Sequence, residues 1–350
     1  GVEAAFIMSI VATVFSSLVR EWRRSQREPN IVALVNAINN FLAELNFVGK
    51  FAALTVAIVD TATGSVRLAH GGDRDQQIYR RSERKLEKFE LNRSPATGVF
   101  DEEMIAMRAE ATGEDIKYRE YGFQLSSGDV MVFATDGIEE SSRLIRNPQF
   151  DRARGEFPEI QFVYRDFDAL REQVRTEFGD GAAERLRWVK GEDERRKPEP
   201  DEISTVAEEF SSDRIASVVE AAMSGGTYRL ERFRSVDSGE ELVFDYRGLA
   251  PTAENLVLAI MSAEKVFRLN RVPQGAQVSQ VRLDVELLRF LERHFSGYQR
   301  YFSQRVEQDE DREDYRPNQP GSIRREYEYF DGLLEEVQGD DLTILAVRKK

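Results

Sequence analysis

Between residues 51 and 135 the chain sets down a series of short β-branched and apolar runs, broken by glycine turns, and this series restricts the fold more than any other feature. The run 51–60, "FAALTVAIVD", predicts a strand. "DTATGSV" turns it back as a hairpin into a second strand at 66–69. "HGGDRDQQIYRR" adds a glycine turn and a strand at 77–80. Two more, at 116–125 and 129–135, are joined by "SSGD". Two helices come first. One covers 2–24. The other opens at Pro29 and Asn30 and lines up Ile31, Leu34, Val35, Ile38, Leu42 and Leu45 on one face at helical spacing. Two helices followed by six or so antiparallel strands predict a layered mixed fold.

From about 143 to 320 the chain changes character and becomes charged. Helical patterns fall at 166–178, 202–223, 252–268 and 280–306. The segment 228–246, "YRLERFRSVDSGEELVFDY", alternates around a Ser-Gly turn and predicts a hairpin. Residues 191–202 and 307–322 read as linkers from their charge, proline and glycine. The closing "GDDLTILAVRKK" is again a turn followed by an apolar strand. No internal repeat is visible.

Composition narrows the chemistry. A formal net charge of −14 and a pI near 5.0 exclude general binding to nucleic acid, whose phosphates would be repelled. The chain has no cysteine and two histidines, His70 and His294. Thiolate and multi-histidine metal sites are therefore excluded, and a metal would be held by oxygen, which suits magnesium, manganese or calcium. The absence of cysteine also favours a cytoplasmic setting. Residues 2–19 approach the length of a membrane span. They carry Glu3, Ser9, Thr13, Ser16 and Ser17 and no basic flank, so a buried core helix is expected, with no membrane contact by this chain.

Two acidic turns stand out. Asp136-Gly137 follows the apolar run "VMVFAT", and Asp340-Asp341 precedes the last strand. Each alone reads as a turn. If the two strands are antiparallel neighbours, both acids reach the same edge of a sheet. Carboxylates converging there repel one another, and a divalent cation removes that penalty.

These residues also carry a resemblance. "SSGDVMVFATDGIEES" resembles the "GD.L.LYTDG..EA" signature of the SpoIIE-type (RsbU-like) protein serine/threonine phosphatases, the bacterial branch of the metal-dependent PPM phosphatases. "GDDLTILAVRKK" resembles their closing "DD.T.L...R", and "SPATGVF" (94–100) their "PALGVF". "ELNFVGKFAALTVAIVDTATGSVRLAHGG" follows the order and spacing of their "FVTL..G.LD...G.L..A.AGH". The opening "GVEAAFIMS" resembles the helix after the family's first metal motif, "DVSGHG". The likeness covers 1–142 and 322–350, about half the chain.

The resemblance implies an α/β (α+β) sandwich of two packed antiparallel sheets flanked by helices. It implies Asp136 and Asp340 as metal ligands and catalytic residues. Asp341 and Thr343 would hold their turn by hydrogen bonds, and Gly137 and Glu140 would lie close to the metal without binding it. Two Mn²⁺ or Mg²⁺ ions would assist the in-line attack of water on phosphoserine or phosphothreonine. Two departures are visible. The aspartate that bridges the two metals in the family falls before Gly1, and "AGH" reads "GGD", with Asp73 in place of the histidine.

The interval from Asp136 to Asp340 is much longer than in the family. A phosphatase domain of 1–142 plus 322–350 is therefore expected, with 143–321 as a large, mostly helical insertion carrying a hairpin. That insertion would cap the site, dock substrate or make a homodimer. By family analogy the substrate is a phosphorylated STAS-type anti-anti-sigma regulator, and a sensor or membrane-tethering region would lie upstream. The competing expectation is a non-catalytic pseudophosphatase or scaffold that binds a partner through the insertion. His70 reads as structural. His294 and the series Phe295, Tyr298, Tyr301 and Phe302 read as packing, and the charge run 307–316 as a solvated loop.

Overall fold

The computed structural model describes residues 2–45, 50–73, 76–146, 167–188, 205–230, 242–271, 279–306, 327–336 and 342–350. The chain divides into two compact units. The first holds residues 1–82, 87–131 and 348–350; the second holds 83–86 and 132–347.

The N-terminal part of the chain runs α1 (Val2–Ser25), α2 (Ile31–Glu44), β1 (Leu54–Val59), β2 (Ser65–Gly71), β3 (Gln76–Arg80), β4 (Lys85–Phe89), α3 (Glu102–Thr112), β5 (Glu120–Gln124) and β6 (Val130–Ala134). α2 starts where the Asn30 side chain accepts from the Ala33 amide at 2.9 Å, which satisfies one of the open N–H groups of the first turn. Its apolar stripe serves two neighbours. Ile31 and Val35 pack with Ala69, Leu54, Val56 and Ile58 of the sheet. Leu34, Ile38 and Leu42 pack with Ile7, Val11, Val14 and Leu18 of α1.

β1, β2 and β5 form an antiparallel sheet, with Val56 opposite Ala69 and Leu68 opposite Tyr121. Alternation along β2 sends Ala69 toward α2 and Val66 and Leu68 the other way. On that other face Phe89 of β4 meets Tyr121 and Phe123 of β5, with ring centroids 5.9 and 4.9 Å apart. A second sheet thus covers the face opposite α2, which is the expected sandwich.

α1 departs from the expected core helix. Only its stripe toward α2 is covered, while Phe6 (54% exposed), Met8 (62%) and Phe15 (43%) face outward. By length and composition Ala5–Ser25 is long and apolar enough to cross a membrane. Two of its polar residues are satisfied within the helix. The Ser9 hydroxyl donates to the Ala5 carbonyl at 2.8 Å and that of Thr13 to the Ser9 carbonyl at 2.7 Å, the local back-bonding that serine and threonine make in helices.

The rest of the chain runs α4 (Asp136–Glu139), β7 (Ser142–Arg146), α5 (Phe167–Phe178), α6 (Asp180–Glu184), β8 (Leu186–Trp188), β9 (Thr205–Glu209), α7 (Ser211–Ser224), β10 (Thr227–Leu230), β11 (Leu242–Asp245), α8 (Ala253–Arg268), β12 (Leu269–Arg271), β13 (Val281–Asp284), α9 (Val285–His294), α10 (Tyr298–Tyr301), β14 (Arg305–Val306), β15 (Tyr327–Phe330), β16 (Leu333–Glu335) and β17 (Ile344–Arg348). The expected hairpin is β10–β11, with Tyr228 opposite Phe244. Beside it stand small antiparallel sheets in the orders β7-β9-β8, β12-β16 and β13-β15-β14. The helical reading of 202–223 gives way to a strand before α7, and that of 280–306 to a strand before α9. In the latter the Asp284 side chain caps the helix by accepting from the Glu286 and Leu287 amides. The linkers expected at 191–202 and 307–322 lie outside the described residues.

The remaining sheet has the order β17-β6-β3-β4. β6 and β17 run antiparallel as expected: the Gly128 amide donates to the Lys349 carbonyl at 2.8 Å, and that of Thr135 to the Thr343 carbonyl at 3.0 Å.

Candidate functional site

β6 is apolar because it is buried: Val130, Met131 and Val132 are all within 2% exposure. It stops at Thr135, which has extended backbone and leads into α4. The Thr135 hydroxyl accepts from the Thr343 amide at 3.0 Å, so the end of β6 is tied to the entry of β17. Asp136 is the first residue of α4. It is exposed, and its Oδ1 accepts from the Gly137 amide at 2.9 Å. The Glu140 amide closes the turn onto the Asp136 carbonyl at 2.7 Å.

The Asp-Gly pair is therefore the start of a helical turn and not a left-handed or hairpin turn. Gly137 is buried and is not among the glycines with positive φ. Ile138, fully buried, fixes the inner side of the turn. Its outer side presents Asp136 and Glu140, both exposed.

Ser141 closes the corner. It is buried, and its hydroxyl donates to the Glu264 carboxylate of α8. Its carbonyl accepts from the Phe210 amide at 2.7 Å. Glu264 is held in turn by the Arg268 guanidinium one helical turn further on. These holding residues carried no motif. Their one sequence signal is an i,i+4 acid–base pair on an otherwise apolar helix, which normally exposes such residues.

Of the site residues read from sequence, Asp136, Gly137, Glu140 and Thr343 fall in or beside this corner. Asp340 and Asp341 lie outside the described residues. Among the described residues there is no group of three acidic or histidine side chains able to hold a metal. The Asp73 carboxylate, at the altered "AGH" position, accepts from the Thr55 hydroxyl and from the Gln76 amide. His70 is buried, with its Nε2 3.1 Å from Asn92 Oδ1. His294 sets Nδ1 2.8 Å from the Asp245 carbonyl and packs its ring on Phe290 at 4.6 Å. Phe295, Tyr301 and Phe302 are buried. The two histidines and these aromatic residues act as packing or bracing groups, as the sequence suggests.

A buried ionic cluster lies beside this corner. Glu208 accepts from Arg143 Nε at 2.7 Å and from the Arg214 guanidinium, and Arg185 Nε stands 3.9 Å away. Burial opposes ionisation of Glu208, but Arg143 and Arg214 outweigh it and hold the carboxyl below its ordinary range. The guanidinium carbons of Arg143 and Arg214 sit 4.6 and 4.8 Å from the centre of the Phe267 ring, within cation–π range.

Among solved structures the chain is similar to the RsbU and RsbW domains of a Mycobacterium tuberculosis protein, with 19% identity, 53% of this chain and 39% of that one covered, and a TM-score of 0.30. It is similar to the phosphatase domain of the Bacillus subtilis cell-fate determinant SpoIIE, at 17% identity, 38% and 49% coverage and a TM-score of 0.22. It is also similar to the Mycobacterium tuberculosis serine/threonine phosphatase PstP, at 16%, 38% and 63%, and 0.26. In each case the chain spans less than two thirds of the solved protein. No curated protein matches it. Residues 1–186 match the family model for stage II sporulation protein E, which is more than half of the chain, and the chain belongs to this SpoIIE family of PPM-type phosphatases.

Proposed function

We propose that the chain is a metal-dependent protein serine/threonine phosphatase whose site is the corner at the end of β6. Asp136 and Asp340 would hold Mn²⁺ or Mg²⁺, with Asp341 and Thr343 bracing the opposite turn and Gly137 and Glu140 close by. The phosphatase domain would be 1–142 with 322–350, and 143–321 an insertion that caps the site, docks substrate or joins two copies. A phosphorylated regulator of the STAS type is the substrate that the family resemblance suggests.

The pairing of β6 with β17 carries this reading. Thr135 and Thr343 bond to each other at one end of the two strands. Asp136 leaves that end, and Asp340 precedes Thr343 by three residues of chain, roughly 10 Å at full extension. The donor chemistry fits the ion. Asp136 offers an exposed hard-oxygen carboxylate on a turn fixed by Ile138 and Ser141, and hard divalent cations take such oxygens. When bound, the metal would supply Lewis acidity toward a phosphoryl oxygen. The protein's own part is to hold the carboxylates at a fixed separation and to orient them.

The test is Asp136→Asn and Asp340→Asn in the intact protein. Asn keeps the size and most hydrogen bonds and removes the charge. Each variant should lose Mn²⁺-dependent hydrolysis of a phosphoserine peptide and most of the Mn²⁺-induced rise in Tm, while circular dichroism stays that of the wild type. Undiminished hydrolysis in both variants would sink the assignment. A Mn²⁺-induced rise in Tm with no hydrolysis of any phosphopeptide would make the chain a binding scaffold instead.

A further inference from the structure

A cavity of about 350 Å³ opens in the second unit, away from any motif read in the sequence. Its walls come from the end of α6, the first turns of α7 and strand β10. They carry three arginines, Arg185, Arg214 and Arg229, together with Ser217, Thr227 and Tyr228. Asp213 is the one acid in the lining. In a chain of net charge −14, three arginines in the lining of one small space run against the average, with Asp213 in the lining and Glu208 behind Arg214 as the acids beside them.

The geometry also prepares these groups. Arg214 is 4% exposed and is held on two sides, donating to the Glu208 carboxylate and, at 2.7 Å, to the Glu209 carbonyl. Its place against the Phe267 ring fixes the plane of the guanidinium. Arg185 stands 3.9 Å from the same Glu208. A donor already locked by its own bonds has less entropy to lose on meeting a ligand. Arg229 is exposed at the rim and leaves the mouth open to solvent.

We propose that this cavity is an anion site that takes a phosphoryl group. Convergent guanidinium forks match the oxygens of a doubly charged phosphoryl group, and charge-assisted bonds of this kind are about twice as strong as neutral ones. The side chains of Ser217 and Thr227, both exposed, add neutral hydroxyls suited to the remaining oxygens. The volume is at the small end for a ligand site, which suits one phosphorylated side chain or one small phosphorylated molecule.

The experiment is independent of the phosphatase reading, because it measures binding with EDTA present and no metal. Calorimetric titration is run with inorganic phosphate, with a phosphoserine peptide and with the unphosphorylated peptide, at one ionic strength set by chloride. The wild type should bind phosphate or the phosphopeptide saturably and the unphosphorylated peptide at least ten times more weakly. Arg229→Gln and Arg185→Gln should each weaken binding about tenfold, the loss of one charge-assisted donor. Arg119→Gln, exposed in the first unit, should leave it unchanged. Because Arg229 is exposed, its variant should keep the wild-type Tm when no anion is present. Phosphopeptide binding ten times tighter than phosphate identifies a phosphorylated chain as the ligand; equal binding identifies a small anion. The proposal is overturned by no saturable binding of either probe at millimolar concentration, or by equal affinity in the wild type and Arg229→Gln.

Discussion

Glu208→Gln is the sharpest test of what holds the second unit together. Glu208 and Arg143 are both fully buried and Arg214 is 4% exposed. The carboxylate gives one oxygen to each arginine, with Arg143 Nη2 2.6 Å from Oε2. Gln has the same shape but one acceptor oxygen. Its amide nitrogen must point at a guanidinium, donor against donor, and the neutralising charge is gone. Removing one partner of a buried ion pair costs about 3–5 kcal/mol, because the other is left as a buried charge without compensation. For a folding unit of this size each kcal/mol moves Tm by about 2–4 °C, so a fall of roughly 6–20 °C is expected.

Differential scanning calorimetry is the assay, since a chain with two units can show two transitions and only that of residues 132–347 should move. The triple variant Arg143→Met, Glu208→Leu, Arg214→Met controls for the cause. Exchanging a whole buried ionic group for apolar side chains of similar volume is often neutral or stabilising, so the triple variant should recover most of the loss. A Glu208→Gln protein within about 1 kcal/mol of wild type would refute the reasoning, and so would a triple variant no better than the single one.

Three further outcomes are expected. The Glu208 carboxyl is depressed from its ordinary value of 4.5 by the two arginines, against the opposing effect of burial. Its contribution is then complete above that value and lost as pH falls through the lower folded value. Tm should therefore fall with acidification more steeply in wild type than in Glu208→Gln, as read by scanning from pH 6 to pH 3. Asn39, fully buried on α2, donates to the Phe100 carbonyl at 2.8 Å and accepts from the Gly98 amide at 2.9 Å and the Tyr118 hydroxyl at 3.0 Å; Asn39→Leu strands these groups and should cost about 2–4 kcal/mol in urea unfolding. Gly72 has φ +70°, and a Cβ there would lie 2.5 Å from Ala96 Cα, so Gly72→Ala should cost more than about 1 kcal/mol in the same assay.

Local pattern and cap chemistry account for what could be read from the sequence. α2 and the β10–β11 hairpin announce themselves because one face is more buried than the other, and β6 because a strand buried on both faces is apolar throughout. The elements that escaped lack that contrast. α3 buries only Ile105, so its apolar period is absent. Its signals are instead the Asp101 cap on Met104 and the left-handed Gly113 at its end. β4 reads "KLEKF" and is largely exposed. β9 hides from the alternation rule because Glu208, a charge, occupies a buried position. That position makes sense only once Arg143 and Arg214 arrive from distant parts of the chain. The corner at Asp136 divides the same way. The acid and the strand leading to it are local and legible. The groups that fix it, Thr343, Glu264 and Phe210, are brought by the fold, and no window of sequence contains them.

That division bears on how the corner can work. Asp136 and Glu140 are exposed acids on one short turn, and such a turn has little helical stability of its own. Left free, it would move its carboxylates apart. It is not free. Ile138 is packed underneath, and Ser141 is bonded through both its hydroxyl and its carbonyl to α8 and to the residue that opens α7. The turn is held from two sides, and a cation bound there would relieve the repulsion between its acids. If Asp136 holds a metal as proposed, a rigid, mildly repulsive set of oxygens is what strengthens binding, because no rearrangement is required when the ion arrives. Glu264 then acts as a positioning residue. Glu264→Gln should leave Asp136 in place chemically but loosen Ser141 and weaken the buried pair with Arg268, so Mn²⁺ affinity and Tm should both fall. A Glu264→Gln protein whose Mn²⁺ affinity equals that of wild type would show that the corner is held without it.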